Sequence, residues 1–83
     1  MAADASPLAA MIATLARGLV DHPEQVEVKE ERDGRAAVLS LYVAEDDLGQ
    51  VIGRGGRIAR ALRTVLRAAS AARDERATLE IVD

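Results

Sequence analysis

Gly49-Gln50-Val51-Ile52-Gly53-Arg54-Gly55-Gly56-Arg57-Ile58-Ala59-Arg60 holds four glycines and three arginines in twelve residues, with no acidic side chain among them. Leu48, Val51 and Ile52 have the spacing of one apolar face of a short helix, and Gly53 is a stop signal for it. Apolar residues recur at helical spacing again from near Arg57 to about Arg73, which predicts a longer helix. Gly53, Gly55 and Gly56 therefore fall in a tight connection, directly before the N-terminus of that helix. Unbonded N–H groups and the helix dipole make such a place attractive to an anion, and glycines let a phosphate backbone approach without meeting a Cβ. Arg57 in the first turn opposes the dipole by roughly a few tenths of a kcal/mol, and a bound anion would reverse that sign. A turn between helices also needs glycine for its dihedrals. One glycine would serve that need; three within four residues exceed it.

Charge is segregated along the chain. Residues 1–48 carry ten acids and four bases, residues 49–73 carry six arginines and no acid, and residues 74–83 carry four acids against Arg76. The net charge of −3 thus hides a +6 segment between two acidic ones. Such asymmetry points to an anionic partner more than the net value does, the bland alternative being a solvated helix face.

Outward from the glycines the chain reads as one small domain. Ser6-Pro7 is an N-cap followed by proline in a first helical turn. Leu8, Met11, Ile12, Leu15 and Leu19 then form one apolar face, and Asp21-His22-Pro23 ends that helix. Val26 and Val28 alternate with Glu27 and Lys29 as a strand, and Asp33-Gly34 signals a hairpin. A second strand over 36–43 sets Leu39, Leu41 and Val43 on one face and Val38, Ser40 and Tyr42 on the other. Glu45-Asp46-Asp47 places carboxylates at the start of the short helix, where the dipole favours them. A last strand over 77–82 alternates Leu79 and Ile81 with Glu80. The predicted order is α-β-β-α-α-β, an α+β fold with helices on one face of a three-stranded mixed sheet. Residues 1–5 are expected to be disordered. The chain has no cysteine, which suits a reducing compartment. It shows neither a leader-like N-terminus nor an apolar run of membrane-spanning length, which predicts a cytoplasmic protein without membrane attachment.

Other anion sites fit poorly. A dinucleotide fingerprint would need glycine or alanine where the chain has Ile58, and a strand immediately before the loop. A nucleotide-hydrolase phosphate loop would need Gly-Lys-Ser/Thr at its end. Catalysis has little to stand on, because the single histidine, His22, sits before a proline with no nucleophile implied beside it. Glu45, Asp46 and Asp47, as consecutive residues opening a helix, splay apart and cap rather than hold a metal. No enzyme activity, cofactor or metal is expected.

Val51-Ile52-Gly53-Arg54-Gly55-Gly56-Arg57-Ile58 resembles the signature of the KH domain: an apolar pair, the Gly-x-x-Gly loop, then a helix start. The element order matches the type II form. Val20-Asp21-His22-Pro23-Glu24, Asp47-Leu48-Gly49-Gln50-Val51-Ile52-Gly53 and Leu79-Glu80-Ile81-Val82-Asp83 narrow the resemblance to the small bacterial single-domain KH proteins, the KhpA (YlqC-like) family. It covers nearly all of residues 1–83. The family's loop commonly carries Lys or Arg with a polar neighbour, whereas the variable pair here is Arg54-Gly55.

The resemblance implies binding of single-stranded RNA, with the loop clamping about four nucleotides by their backbone beside an apolar groove. Composition agrees independently. Folds that stack bases need aromatic platforms, and Tyr42 is the only aromatic residue. Gly53, Arg54, Gly55 and Gly56 are assigned to the clamp, with Arg57 and Arg60 as further phosphate contacts. Ile52 is either a groove wall or a core residue. Arg63 and Arg67 lie on the same helical side, as a solvated face or a weak electrostatic extension. The resemblance further implies an RNA chaperone in post-transcriptional control, acting with a second KH protein of the KhpB or Jag type and linked to cell elongation and envelope homeostasis. On the long helix, Ile58, Leu62, Val65, Leu66 and Ala69 are expected to point one way. A flanking seam of Ala61, Val65, Ala68 and Ala72 widens the apolar arc beyond what one core needs, which predicts a homodimer or a heteromer. The rival reading is a protein-interaction module with a vestigial loop.

Overall fold

Alternation along the middle of the chain builds the sheet. Strand β1 (Glu27–Asp33) turns through Gly34 and Arg35 into β2 (Ala36–Tyr42), and β3 (Arg76–Ile81) adds to the other side of β2. β1 pairs antiparallel with β2, with Lys29 opposite Ser40, and β2 pairs parallel with β3, with Leu39 opposite Leu79. Gly34 has φ +63, the left-handed conformation that the hairpin turn requires. The computed structural model describes residues 6–83, so the expectation of disorder over 1–5 lies outside the described residues.

Three helices cover one face of this sheet: α1 (Pro7–Arg17), α2 (Leu48–Ile52) and α3 (Arg57–Ala72). Ser6 caps α1 as its position predicts, its Oγ accepting from the Ala9 N–H at 3.1 Å. Leu39, Leu41 and Ala37 of β2 are buried beneath Leu8, Ile12 and Ala16 of α1, Val51 of α2, and Leu62 and Leu66 of α3. Val38, Ser40 and Tyr42 lie on the opposite, open face with Glu27, Lys29, Glu31 and Asp33 of β1. The Lys29 ammonium stands 5.1 Å from the Tyr42 ring centre there. The architecture is the α+β, three-stranded mixed sheet of the expected type II order.

Two apolar stripes differ from expectation. α1 buries Leu8, Ala9, Ile12, Ala13 and Ala16, while Leu15 is 38% exposed. Its alanines allow close approach to the packed layer, and that rotates Leu15 to the rim. The helix ends at Arg17, where the Gly18 N–H reaches the Thr14 and Leu15 carbonyls, so Leu19 lies beyond it and is 37% exposed. On α3 the buried residues are Ala59, Leu62, Leu66 and Ser70, with Ile58 and Ala69 half-buried. Val65 does not join them; it is 43% exposed. Ser70 is tolerated inside because its Oγ donates to the Arg67 carbonyl at 3.0 Å.

Asp47 is a further correction. It precedes α2, yet its side chain makes no capping bond. It is instead 1% exposed, and its Oδ2 accepts from the His22 N–H at 2.9 Å and lies 3.0 Å from His22 Nδ1. The carboxylate thereby ties the turn after α1 to the entry of α2, the helix that leads into the glycine loop. His22, unassigned to any chemistry, is the other half of that link. At the far end of α3, Arg32 pairs with Glu30 and Glu75, Arg73 with Glu75, and Arg35 with Asp74. These exposed pairs join the hairpin to the α3–β3 turn, each contributing little by itself.

Candidate nucleic-acid interface

The glycine loop is a single 3₁₀ turn, Arg54–Gly56, held between α2 and α3. Its shape uses positive φ at three of four residues: +77 at Gly53, +65 at Gly55 and +79 at Gly56. The Gly53 N–H bonds the Gly49 carbonyl at 2.8 Å, ending α2, and the Gly56 N–H bonds the Gly53 carbonyl at 3.1 Å, closing the turn. The Arg57 N–H donates to the Arg54 carbonyl as α3 begins. Among the described residues, the Arg54 and Gly55 N–H groups have no backbone partner. Two adjacent donors at a helix start, in a turn without side-chain bulk at Gly55, suit a phosphate oxygen.

Each glycine has its own reason. A Cβ on Gly53 would lie 2.4 Å from Ile58 Cγ1, so this residue is glycine for packing as well as for φ. A Cβ on Gly55 would meet nothing within 4 Å, which makes it the open tip of the loop.

Arg54, Arg57 and Arg60 are all exposed around this turn. Arg60 reaches back one helical turn, and its Nη1 donates to the Gly55 carbonyl at 2.9 Å. Ile52 is 36% exposed and stands outside the buried core, where Val51 takes the interior position at 0% exposure. The structure thus brings Ile52, Gly53, Arg54, Gly55, Gly56, Arg57 and Arg60 together at one end of α3.

Further along α3, Arg63 and Arg67 are exposed and stand beside β3. With Leu66, Ala77, Thr78 and Leu79 they line a shallow groove of about 230 Å³. Arg63 Nε donates to the Leu79 carbonyl at 3.3 Å, so that carbonyl lies on the unpaired side of the edge strand. The groove is apolar in its floor and cationic along its rim, continuing the arginine stripe of Arg57 and Arg60. Helical spacing alone put these four arginines on one side; only the position of β3 shows that two of them overhang a strand edge.

Among the described residues no three His, Asp or Glu side chains gather as a metal site, and no helix is long and apolar enough to cross a membrane.

Residues 9–81 match the sequence family described as KhpA/KhpB, KH domain. The chain is 43% identical over 72 residues to the RNA-binding protein KhpA of Clostridium acetobutylicum, covering 87% of this chain and 96% of that one. It is 49% identical over 73 residues to the RNA-binding protein KhpA of Treponema pallidum, covering 88% of this chain and 91% of the relative. With its α-β-β-α-α-β order, its Gly-x-x-Gly turn between two helices and this family match, the chain is a KH domain. It belongs to the KhpA/KhpB family of such domains. Among solved structures, Era of Aquifex aeolicus bound to GDP and aluminium fluoride superposes with a TM-score of 0.62 at 17% identity, over 89% of this chain and 29% of that one. That likeness shows the fold alone.

Proposed function

We propose that this chain binds single-stranded RNA by its sugar-phosphate backbone, without catalysis. The observation that carries the reading is the turn at Gly53–Gly56, in which three glycines at positive φ leave two adjacent N–H groups bare amid three exposed arginines. The family and the RNA-binding relatives support it. Gly53, Arg54, Gly55 and Gly56 form the clamp, Arg57 and Arg60 add positive charge, and Ile52 provides an apolar wall beside it. Beyond the clamp, Arg63 and Arg67 on the rim of the α3–β3 groove add a weak electrostatic extension and no further phosphate contact. Aliphatic contact replaces aromatic stacking in this scheme, as a chain whose one aromatic residue lies on the open sheet face requires.

The cellular part of the proposal is an RNA chaperone in the cytoplasm, acting in post-transcriptional control with a second KH protein of the KhpB or Jag type. Its phenotypes would lie in cell elongation and envelope homeostasis. Recovery of RNA cross-linked to the protein in cells, with and without the double substitution Arg54→Asp and Gly55→Asp, tests the binding. Equal recovery from both proteins would favour the vestigial-loop reading instead.

Self-association is a second part of the reading, favoured by a specific surface. Ala61, Val65, Ala68 and Ala72 are all exposed on α3. Leu15, Leu19, Ile58, Ala61, Leu62 and Val65 line a shallow apolar groove of about 230 Å³ beside them. Small residues there let a second helix come close, and two linked clamps gain by effective concentration what one clamp lacks.

A further inference from the structure

We infer that Arg60 is a positioning residue of the glycine loop, fixing its shape before any nucleic acid arrives. The inference rests on the clamp reading above but is tested separately from it. Three glycines in four residues give the loop more conformational freedom than any other stretch of this chain, and that freedom opposes a single bound shape. Something must hold the loop, and the two ends are accounted for. Gly53 is wedged against Ile58, and the Arg57 N–H is bonded to the Arg54 carbonyl.

Between those anchors lies the peptide plane joining Gly55 to Gly56. Its N–H end bonds the Gly53 carbonyl at 3.1 Å, and its carbonyl end accepts from Arg60 Nη1 at 2.9 Å. A peptide plane bonded at both ends cannot flip. That plane follows directly on the one carrying the bare Gly55 N–H, whose own carbonyl end, on Arg54, is held by the Arg57 N–H, so Arg60 completes the hold on the two planes that flank Gly55. Without Arg60 the Gly55 carbonyl has no partner among the described residues, and at an open tip with no Cβ the plane is held only by the Gly56 N–H.

Arg60 is suited to this by reach and geometry. It lies one turn into α3, and its Nη1 sits 3.6 Å from where a Cβ of Gly56 would be, so the guanidinium approaches bare backbone closely. Spending one N–H on the carbonyl leaves four of the five donors for solvent or ligand. A lysine has a single compact ammonium and no planar fork, so it would keep the charge but not the fixed geometry.

The test uses full-length Arg60→Gln and Arg60→Lys, both at an exposed position where the fold is expected to survive. Backbone ¹⁵N relaxation of Gly55 and Gly56 is measured without RNA. The expected result is a rigid loop in the parent, with an order parameter near ~0.85, falling below ~0.6 in Arg60→Gln. Affinity for a short single-stranded RNA should fall roughly five- to tenfold, the effect of one hydrogen bond of ordinary net strength. That loss should persist at high salt. Arg60→Lys should recover the salt dependence but not the loop order. Unchanged order parameters in Arg60→Gln overturn the inference, whatever happens to affinity. In that case, a loss that vanishes at high salt, with the log–log salt slope reduced by about 0.7, would make Arg60 a plain phosphate contact. A parent protein with an ordered loop and no RNA affinity would sink the clamp reading and leave the role of Arg60 intact.

Discussion

A methyl group placed on Gly53 would lie 2.4 Å from Ile58 Cγ1 and 2.9 Å from Ile58 Cβ, so the first glycine of the loop and the first apolar residue of α3 pack with no space between them. The same glycine has φ +77 and ψ 169, a region that side chains essentially exclude. Gly53→Ala should therefore lower stability by about 2 kcal/mol or more, from backbone strain and overpacking together. Gly55→Ala, with positive φ but open space, should cost only about 1 kcal/mol. Urea unfolding of the two variants checks the order. Equal losses would mean that the Gly53–Ile58 contact yields freely.

Arg54→Asp together with Gly55→Asp should abolish RNA binding while leaving the fold intact. Both residues are exposed, and neither belongs to the buried cluster. Aspartate also tolerates the left-handed backbone better than most residues, which limits the strain at Gly55. Two negative charges would then face the phosphates. A mobility-shift assay run beside a circular dichroism spectrum reads both halves, and unchanged affinity with a native spectrum would falsify the clamp.

Salt dependence should be moderate. Two or three neutralised phosphates on a single strand give a log–log slope of roughly −1.5 to −2. Arg63 and Arg67 overhang the β3 edge, but Arg63 already spends Nε on the Leu79 carbonyl. A slope of about −3.5 or steeper would show that the whole arginine stripe wraps the strand, contrary to the contacts assigned.

The His22–Asp47 link makes stability depend on pH in a stated direction. The Asp47 side chain raises the His22 pKa above its ordinary 6.5, chiefly by hydrogen bonding and then by charge, with smaller help from Glu24 and Asp21. Burial alone would raise Asp47, but the hydrogen bonds from the His22 ring and from backbone N–H groups outweigh it and hold the carboxyl below 3.8. A raised His pKa contributes fully below 6.5 and is lost as pH rises through the raised value. A lowered Asp pKa contributes above 3.8 and is lost as pH falls through the lowered value. The Tm difference between the parent and His22→Gln should thus be largest between these limits and shrink as pH rises through the raised His22 value. A difference constant from about pH 5 to pH 9 would mean that the ring contributes no charge to the link.

Much of this was legible in residue spacing, for physical reasons that also mark where spacing stops. β2 is legible because a strand has a period of two, and Leu39 and Leu41 against Ser40 and Tyr42 leave no ambiguity. The spacing in α1 leaves the buried edge of its stripe undetermined, because leucine and alanine are both apolar. The pattern shows how wide an apolar arc is, not which edge lies inside, and that decision belonged to the close packing of Ala9, Ala13 and Ala16. Asp47 could not be told from Glu45 and Asp46, since its burial depends on His22, 25 positions away. The glycine loop was found by composition, whereas the bond from Arg60 to the Gly55 carbonyl depends on the direction of a long side chain, which spacing does not encode.

The last prediction concerns the surface that α1 and α3 leave uncovered. Leu15, Leu19 and Val65 are each more than a third exposed, and they adjoin one another around the same shallow groove. Ala61, Ala68 and Ala72 extend that surface along α3 without adding bulk. Alanine alone would be weak grounds, because it is the best helix former and is at home on any surface. Three large aliphatic side chains meeting at the same place are stronger grounds, since burying each one stabilises an interface by about 1 kcal/mol or more. Arg60, Arg63 and Arg67 lie on the other side of α3 from this groove, whereas Arg57 stands beside Ala61 and Ala68. Light scattering or sedimentation at tens of micromolar should return a mass near twice 8.8 kDa. Val65→Glu or Ala68→Glu should return the monomer, with RNA affinity reduced through the loss of the second clamp. If the parent is itself a clean monomer, only a heteromeric partner remains for this surface. If Ala68→Glu then also leaves partner capture and RNA affinity unchanged, the exposed seam of α3 is ordinary surface.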